Sequence, residues 1–187
     1  MQDLEEILVE NPVIAAIRND AQLEDACSGK PKIVFVLYGN LLNIKGICNR
    51  LREAGKIIFI HIDMIEGLKG DALGLEYIKK EANPNGIITT KVSNVRHARN
   101  LGLIVIQRIF ILDSLSLDTG IKNMKDHMPD AIEVLPGIAS RIINSIEDRV
   151  SLPIIAGGLI KTKKDVLECL SMGAIAVSTS STNLWDL

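Results

Sequence analysis

Eight short apolar runs punctuate this chain, and a stretch with helical spacing follows every one of them except the last. The runs are VIAAI (Val13–Ile17), KIVFVLY (Lys32–Tyr38), KIIFIHI (Lys56–Ile62) and GIITT (Gly86–Thr90). Then come LIVIQRIFI (Leu103–Ile111), AIEVL (Ala131–Leu135), PIIAGG (Pro153–Gly158) and AIAVSTS (Ala174–Ser180). Most are apolar throughout instead of alternating, the mark of strands buried on both faces. Hydrophobic residues make up 47% of the sequence but aromatics only 3%, so Ile, Leu, Val and Ala must build the core. Strands alternating with helices imply a parallel sheet with right-handed crossovers. Eight such units point to one small TIM-type (β/α)8 barrel over residues 1–187, with residues 1–11 as an N-terminal extension. At 187 residues the chain is short for that fold, so helices and loops must be minimal, and NLWDL leaves no room for a full last helix. An open doubly wound sheet is the alternative. No GxGxxG follows the first run, which argues against a dinucleotide-binding version of it.

The helical stretches support this order. Asn43–Ala54 places Ile44, Ile47, Cys48 and Leu51 on one face, and Thr162–Met172 does the same with Val166, Leu167 and Leu170. Thr162 and Asp165 have the spacing of a capping box. Asp20–Cys27, Ala72–Ala82, Ser93–Leu101, Leu115–His127 and Ala139–Asp148 complete the set. Gly55, Gly102 and Gly173 each stand between a helix and a strand, where a C-terminal cap belongs.

A net charge of −2 gives no global pull toward nucleic acid or an anionic membrane, so such contacts need a local patch. Cys27, Cys48 and Cys169 are odd in number and far apart, which fits reduced thiols and neither a disulfide framework nor a zinc motif. The N-terminal MQDLEEILVENP is acidic and amphipathic, unlike a signal peptide. No apolar run approaches the roughly 18 residues that span a bilayer. The chain reads as cytoplasmic, without a metal or cofactor.

In a parallel barrel, ligand groups gather at the C-terminal ends of the strands. Those ends carry Arg18, Gly39-Asn40, His61 and Asp63, then Thr89-Thr90-Lys91, Arg108 and Asp113, then Glu133, Gly157-Gly158 and Ser178-Thr179-Ser180. Gly157 and Gly158 after the seventh run and Thr179 and Ser180 after the eighth occupy the usual phosphate site of barrels. There, glycine backbones approach an anion and a short helix, here SSTNLW, adds its N-terminus. His61 and Asp63, two apart, face one side of a strand. They fit an acid–base pair or hydrogen bonding to polyol hydroxyls. Glu133 in an otherwise apolar strand needs a partner, and Arg108 on the neighbouring strand is the obvious one. Glu66–Asp71, in which Gly67 and Gly70 bracket Lys69, forms with Lys91 a candidate rim loop.

Basic residues cluster in three places. Residues 82–112 hold Lys91, Arg96, Arg99 and Arg108 and no acid at all. Arg96 and Arg99 share a helix face and are the candidate RNA contact. Lys45, Asn49 and Arg52 share another, with Lys56 beyond it. Lys161, Lys163 and Lys164 form the third group.

The segments HIDMIEGLKGD, GIITTK, IQRIFILDS, IEVLPGI, IAGGLIKT with KDV, and GAIAVSTS with LW occur in order from Pro12 to Trp185. Together they resemble the bacterial glycerol-uptake operon antiterminators, the glycerol-3-phosphate-responsive regulators. The resemblance implies a small TIM-type barrel without established enzymatic activity that binds glycerol 3-phosphate and then the leader mRNA of glycerol genes, preventing termination. A homodimer would double any basic patch facing that RNA. The residue reading fits that ligand: Gly157, Gly158, Thr179 and Ser180 are expected to hold the phosphate, and His61, Asp63, Arg108 and Glu133 to meet the glycerol hydroxyls or orient the groups that do. Two other readings remain: an isomerase, aldolase or phosphodiesterase acting on a phosphorylated polyol or sugar, and a metabolite-binding protein that acts through a protein partner.

Overall fold

The computed structural model describes residues 4–187, where the eight apolar runs form one closed parallel barrel in chain order. The strands are β1 (Val13–Ile17), β2 (Ile33–Val36), β3 (Ile57–His61), β4 (Gly86–Thr89), β5 (Ile104–Phe110), β6 (Ala131–Leu135), β7 (Ile154–Gly157) and β8 (Ala176–Thr179). Pairing of β1 with β8, Val13 opposite Val177 and Ala15 opposite Thr179, closes the ring and excludes the open sheet. Helix α1 (Leu4–Glu10) precedes β1. Helices α2 (Asp20–Ser28), α3 (Ile44–Glu53), α4 (Ala72–Glu81), α5 (Ser93–Asn100), α6 (Ser114–His127), α7 (Ser140–Glu147) and α8 (Lys163–Ser171) follow β1 to β7 in turn.

The unbroken apolar runs have a simple cause. Alternate strand residues point inward and outward, and both sides are dry. Ile14, Ala16, Phe35, Phe59, Ile88, Ile106, Ala131, Ile155 and Ala176 fill the barrel. Val34, Val36, Ile58, Ile60 and Val105 face outward against helix residues such as Ile44, Cys48 and Leu51. The two inner phenylalanines, Phe35 and Phe59, meet edge to face with ring centroids 5.7 Å apart.

Local signals place the helix ends. Thr162 accepts from the backbone N–H of Asp165, whose carboxylate reaches back to the N–H of Thr162, a complete capping box. Gly55, Gly102 and Gly173 all adopt left-handed φ, between 68° and 101°, directly after α3, α5 and α8.

Three expectations change. First, the strand expected to run through Ile62 ends at His61, and Ile62–Met64 is a 3-10 turn, so Asp63 lies off the strand. Second, the expected N-terminal extension is, over Leu4–Glu10, a helix whose buried Leu4 and Leu8 join the residues inside the barrel. Residues 1–3 of that segment lie outside the described residues. Third, the short helix after β8 is a single 3-10 turn, Thr182–Leu184. It is fastened inward by the buried Trp185, whose Nε1 donates to the Thr179 carbonyl at 2.9 Å.

Cys27, Cys48 and Cys169 are all free thiols. Among the described residues, no helix is long and apolar enough to cross a membrane. No group of three His, Cys, Asp or Glu side chains there is placed to hold a metal ion.

Because Leu8 is fully buried among the inner residues, Leu8→Ala is expected to lower unfolding free energy by about 2–5 kcal/mol. Urea denaturation checks this; an unshifted midpoint would mean that α1 is a loose appendage.

Candidate ligand-binding site

The site begins with a register match. Arg108 on β5 and Glu133 on β6 are lateral partners on the inner face. Arg108 is 8% and Glu133 1% exposed, so both charges are buried and must be satisfied locally. Arg108 Nε donates to Glu133 Oε2 at 2.6 Å, the partnership expected from sequence. The other carboxylate oxygen, Oε1, accepts from Ser178 Oγ on β8, also at 2.6 Å. That second bond passes over β7 at Gly157. A Cβ there would lie 2.7 Å from both Glu133 Oε1 and Ser178 Oγ, so only glycine leaves the path open.

Above this triad is a cavity of about 170 Å³, bounded by the ends of β1, β5, β6 and β8 and the loop after β7. Arg18, Arg108 and Lys161 bring three positive charges to its lining, against the single carboxylate of Glu133. Among the described residues, Arg108 spends only its Nε–H on the protein, leaving the two terminal nitrogens for a ligand. In the loop after β7, Gly158 (φ 82°) and Leu159 (φ 62°) are both left-handed, which turns the backbone around the cavity edge.

Of the residues expected at a phosphate, Gly158, Thr179 and Ser180 line the cavity, and Gly157 lies beneath it. Thr179 contributes wall more than donor: its hydroxyl donates to the Ile160 carbonyl at 2.9 Å and accepts from the Ser181 N–H. Of the residues expected at a polyol, Arg108 and Glu133 line the cavity, whereas His61 and Asp63 do not. Ser178, Arg18 and Lys161 complete the lining. The signal for Ser178 was strand periodicity, since Gly157 and Ser178 are register partners and Thr179 has the opposite parity.

His61 and Asp63 instead organise the ends of β3 and β4. Asp63 Oδ2 accepts from the Thr90 N–H at 2.8 Å and from the Thr89 hydroxyl at 3.0 Å. Its nearest approach to His61 Nδ1 is 4.0 Å, too long for a hydrogen bond. Burial and then the charge of Arg108 push the His61 imidazole down to about 4, overcoming the opposite pull of Asp63. His61 is therefore neutral near pH 7. Lys91 Nζ lies 3.6 Å from Asp63 Oδ1 and 3.4 Å from the Gly70 carbonyl, which holds the loop Glu66–Asp71 from one side. Glu66 is tied by its backbone N–H to the Gly39 carbonyl, and Lys69 pairs with Asp71 at 3.1 Å.

The candidate RNA contact on α5 is half committed. Arg99 donates to the Met128 carbonyl at 2.8 Å and approaches Asp130, so it clamps the end of α6. Among the described residues, Arg96 forms no such bond.

Residues 13–185 match the sequence model of the glycerol-3-phosphate responsive antiterminators. The chain belongs to that family. It is 36% identical to the Escherichia coli K12 protein YgcP over 181 residues, covering 97% of this chain and 95% of that one. Among solved structures, it resembles a glycerol uptake operon antiterminator regulatory protein from Listeria monocytogenes (31% identity, TM-score 0.90, covering 92% of this chain and 94% of that one). It also resembles an antiterminator-related protein from Thermotoga maritima (32% identity, TM-score 0.85, covering 95% and 99%). In this member of the antiterminator family, the barrel mouth is built around a buried ion pair with unspent guanidinium donors.

Two outcomes follow from the site's electrostatics. Glu133→Ala strands the buried Arg108 charge and is expected to cost about 3–5 kcal/mol of stability by chemical denaturation. The depressed His61 makes stability fall with acid: between pH 6.5 and 4 the unfolded chain takes up a proton that the folded state refuses. From pH 7 to pH 5 the native chain is therefore expected to lose about 2 kcal/mol more than a His61→Gln variant. Equal losses in the two proteins would show that His61 is not held neutral.

Proposed function

We propose that this protein is a regulator that binds glycerol 3-phosphate in the rim cavity and, so loaded, binds the leader RNA of glycerol-uptake genes in the cytoplasm. The cavity chemistry carries the reading. A phosphate dianion suits a recess with Arg18, Lys161 and the free edge of Arg108. The polar wall of Glu133 and Ser180 suits hydroxyl groups beside it. The family supplies the regulatory role. The enzyme reading gains less support, because both Glu133 oxygens are already hydrogen-bonded and His61 and Lys91 stand outside the cavity lining.

A ligand changes RNA affinity only by binding one arrangement of the protein better than another. The loop Glu66–Asp71 is the candidate reporter on the β3–β4 side. It is held at Gly70 by long bonds of 3.4 and 3.5 Å from Lys91 and Asn94, contacts that small shifts can make or break.

Calorimetric titration with glycerol 3-phosphate is expected to show saturable binding, with unphosphorylated glycerol much weaker. Lys161→Met should weaken binding about tenfold or more, the usual worth of a charge-assisted hydrogen bond. Filter binding of a glycerol-operon leader transcript should then strengthen with ligand. Turnover of triose or pentose phosphates together with no effect of ligand on RNA would refute the regulatory reading.

A further inference from the structure

We propose that the RNA docks on the rim beside the cavity, on the surface formed by Lys163 and Lys164 next to the ligand-holding Lys161 and Arg18, its bases covering Leu159 and Ile138. This rests on the regulatory reading above and goes beyond it by assigning the surface. A polyanion is held by cations that the protein has not already spent, because each one that meets a phosphate releases a counterion. The three basic groups differ sharply on this point. On α3, Arg52 donates to the carbonyls of Ala82 and Asn83 and Lys45 pairs with Glu81; just before β3, Lys56 Nζ donates to the carbonyls of Gly29 and Pro31. Near α5, Lys91 is held by Asp63, Arg99 by Asp130 and Met128, and Arg108 by Glu133, so Arg96 stands alone.

The third group is different. Lys161, Lys163 and Lys164 make no salt bridge within the described residues. The carboxylate beside them, Asp165, is occupied by the backbone N–H groups of Lys161 and Thr162, at 3.0 and 2.9 Å. Lys163 and Lys164 also open α8, where the positive end of the helix dipole disfavours cations. The fold thus concentrates positive charge where its own electrostatics oppose it, which suits an anion arriving from outside. On the same rim, Leu159 in the loop after β7 is 64% exposed, and Ile138 in the neighbouring loop after β6 is 49% exposed. Exposed aliphatic surface beside unpaired cations suits a single strand, whose phosphates meet the charges while its bases cover the apolar side chains. The surface also touches the ligand site, because Arg18, Leu159 and Lys161 line the cavity. A ligand that fixes the loop from Gly158 to Lys161 therefore fixes part of the docking surface.

The test compares Lys163→Glu/Lys164→Glu with Arg96→Glu in the full chain. It measures leader-transcript binding across salt concentrations and glycerol 3-phosphate binding by calorimetry. Acidic residues suit the start of α8, so the double variant retains the fold. The expected result is a loss of RNA affinity of about tenfold or more in the double variant, with ligand binding unchanged and Arg96→Glu close to wild type. In Lys163→Ala/Lys164→Ala, the slope of log affinity against log salt should shrink by about 1.4, from about 0.7 per phosphate contact on a single strand. Wild-type-like RNA binding by the double variant, or its loss in Arg96→Glu alone, overturns the placement and leaves the regulatory reading standing. A wild-type chain that binds no RNA, or that binds phosphatidylserine vesicles as firmly as RNA, overturns both.

Discussion

The barrel mouth depends on one buried ion pair. Arg108 and Glu133 sit side by side on the inner face of a barrel otherwise filled mainly with Ile, Leu, Ala and Phe. Two charges in such surroundings are tolerated only when each finds a close partner and the remaining lone pairs are met as well. Arg108 meets one oxygen of Glu133 and Ser178 meets the other. From that requirement follow the hydroxyl on β8, the missing side chain at Gly157 and the place of Arg108 in the cavity wall with only its Nε–H bonded. A carboxylate gripped from both sides cannot swing, so it presents the guanidinium at a fixed angle, and that preorganisation lowers the ordering cost of binding.

The fold was far more legible than the site. Continuous apolar runs spaced by helices leave almost no choice but a parallel sheet, and the glycines after α3, α5 and α8 mark helix ends through backbone sterics alone. The Arg108–Glu133 partnership was equally readable, because a carboxylate in AIEVL has few ways to be satisfied. What failed was finer. The HID triplet looks like two strand positions of equal parity, yet the chain turns after His61, and Asp63 is spent on Thr89 and Thr90. In the STS triplet, parity selects Ser178 for the inside and leaves Thr179 to bind the loop carbonyl of Ile160. Helix α1 was unreadable for another reason: two leucines in an acidic segment do not say whether they close a barrel or face water.

Polar residues at the mouth fall into two sectors. One lies over β5 to β1, with the cavity and the unpaired lysines. The other lies over β3 and β4, with Asp63, Lys91 and the loop that ends at Asp71. Arg108 and His61 join them, since the charge of the first lowers the proton affinity of the second. Among the described residues, no chain of side-chain hydrogen bonds connects the sectors, so coupling between them would be electrostatic or pass through backbone shifts.

That link has a definite sign. His61 is kept neutral first by burial and second by the nearby positive charge of Arg108. An anion held on the free edge of Arg108 cancels the second cause and leaves the first. The imidazole then gains proton affinity toward its ordinary value without reaching it, because the burial persists. Linkage is reciprocal, so protonation of His61 would in turn strengthen the hold on the anion. A phosphate ester held on this triad would thus show a modest acid dependence, set by where one histidine packs and needing no dedicated switch.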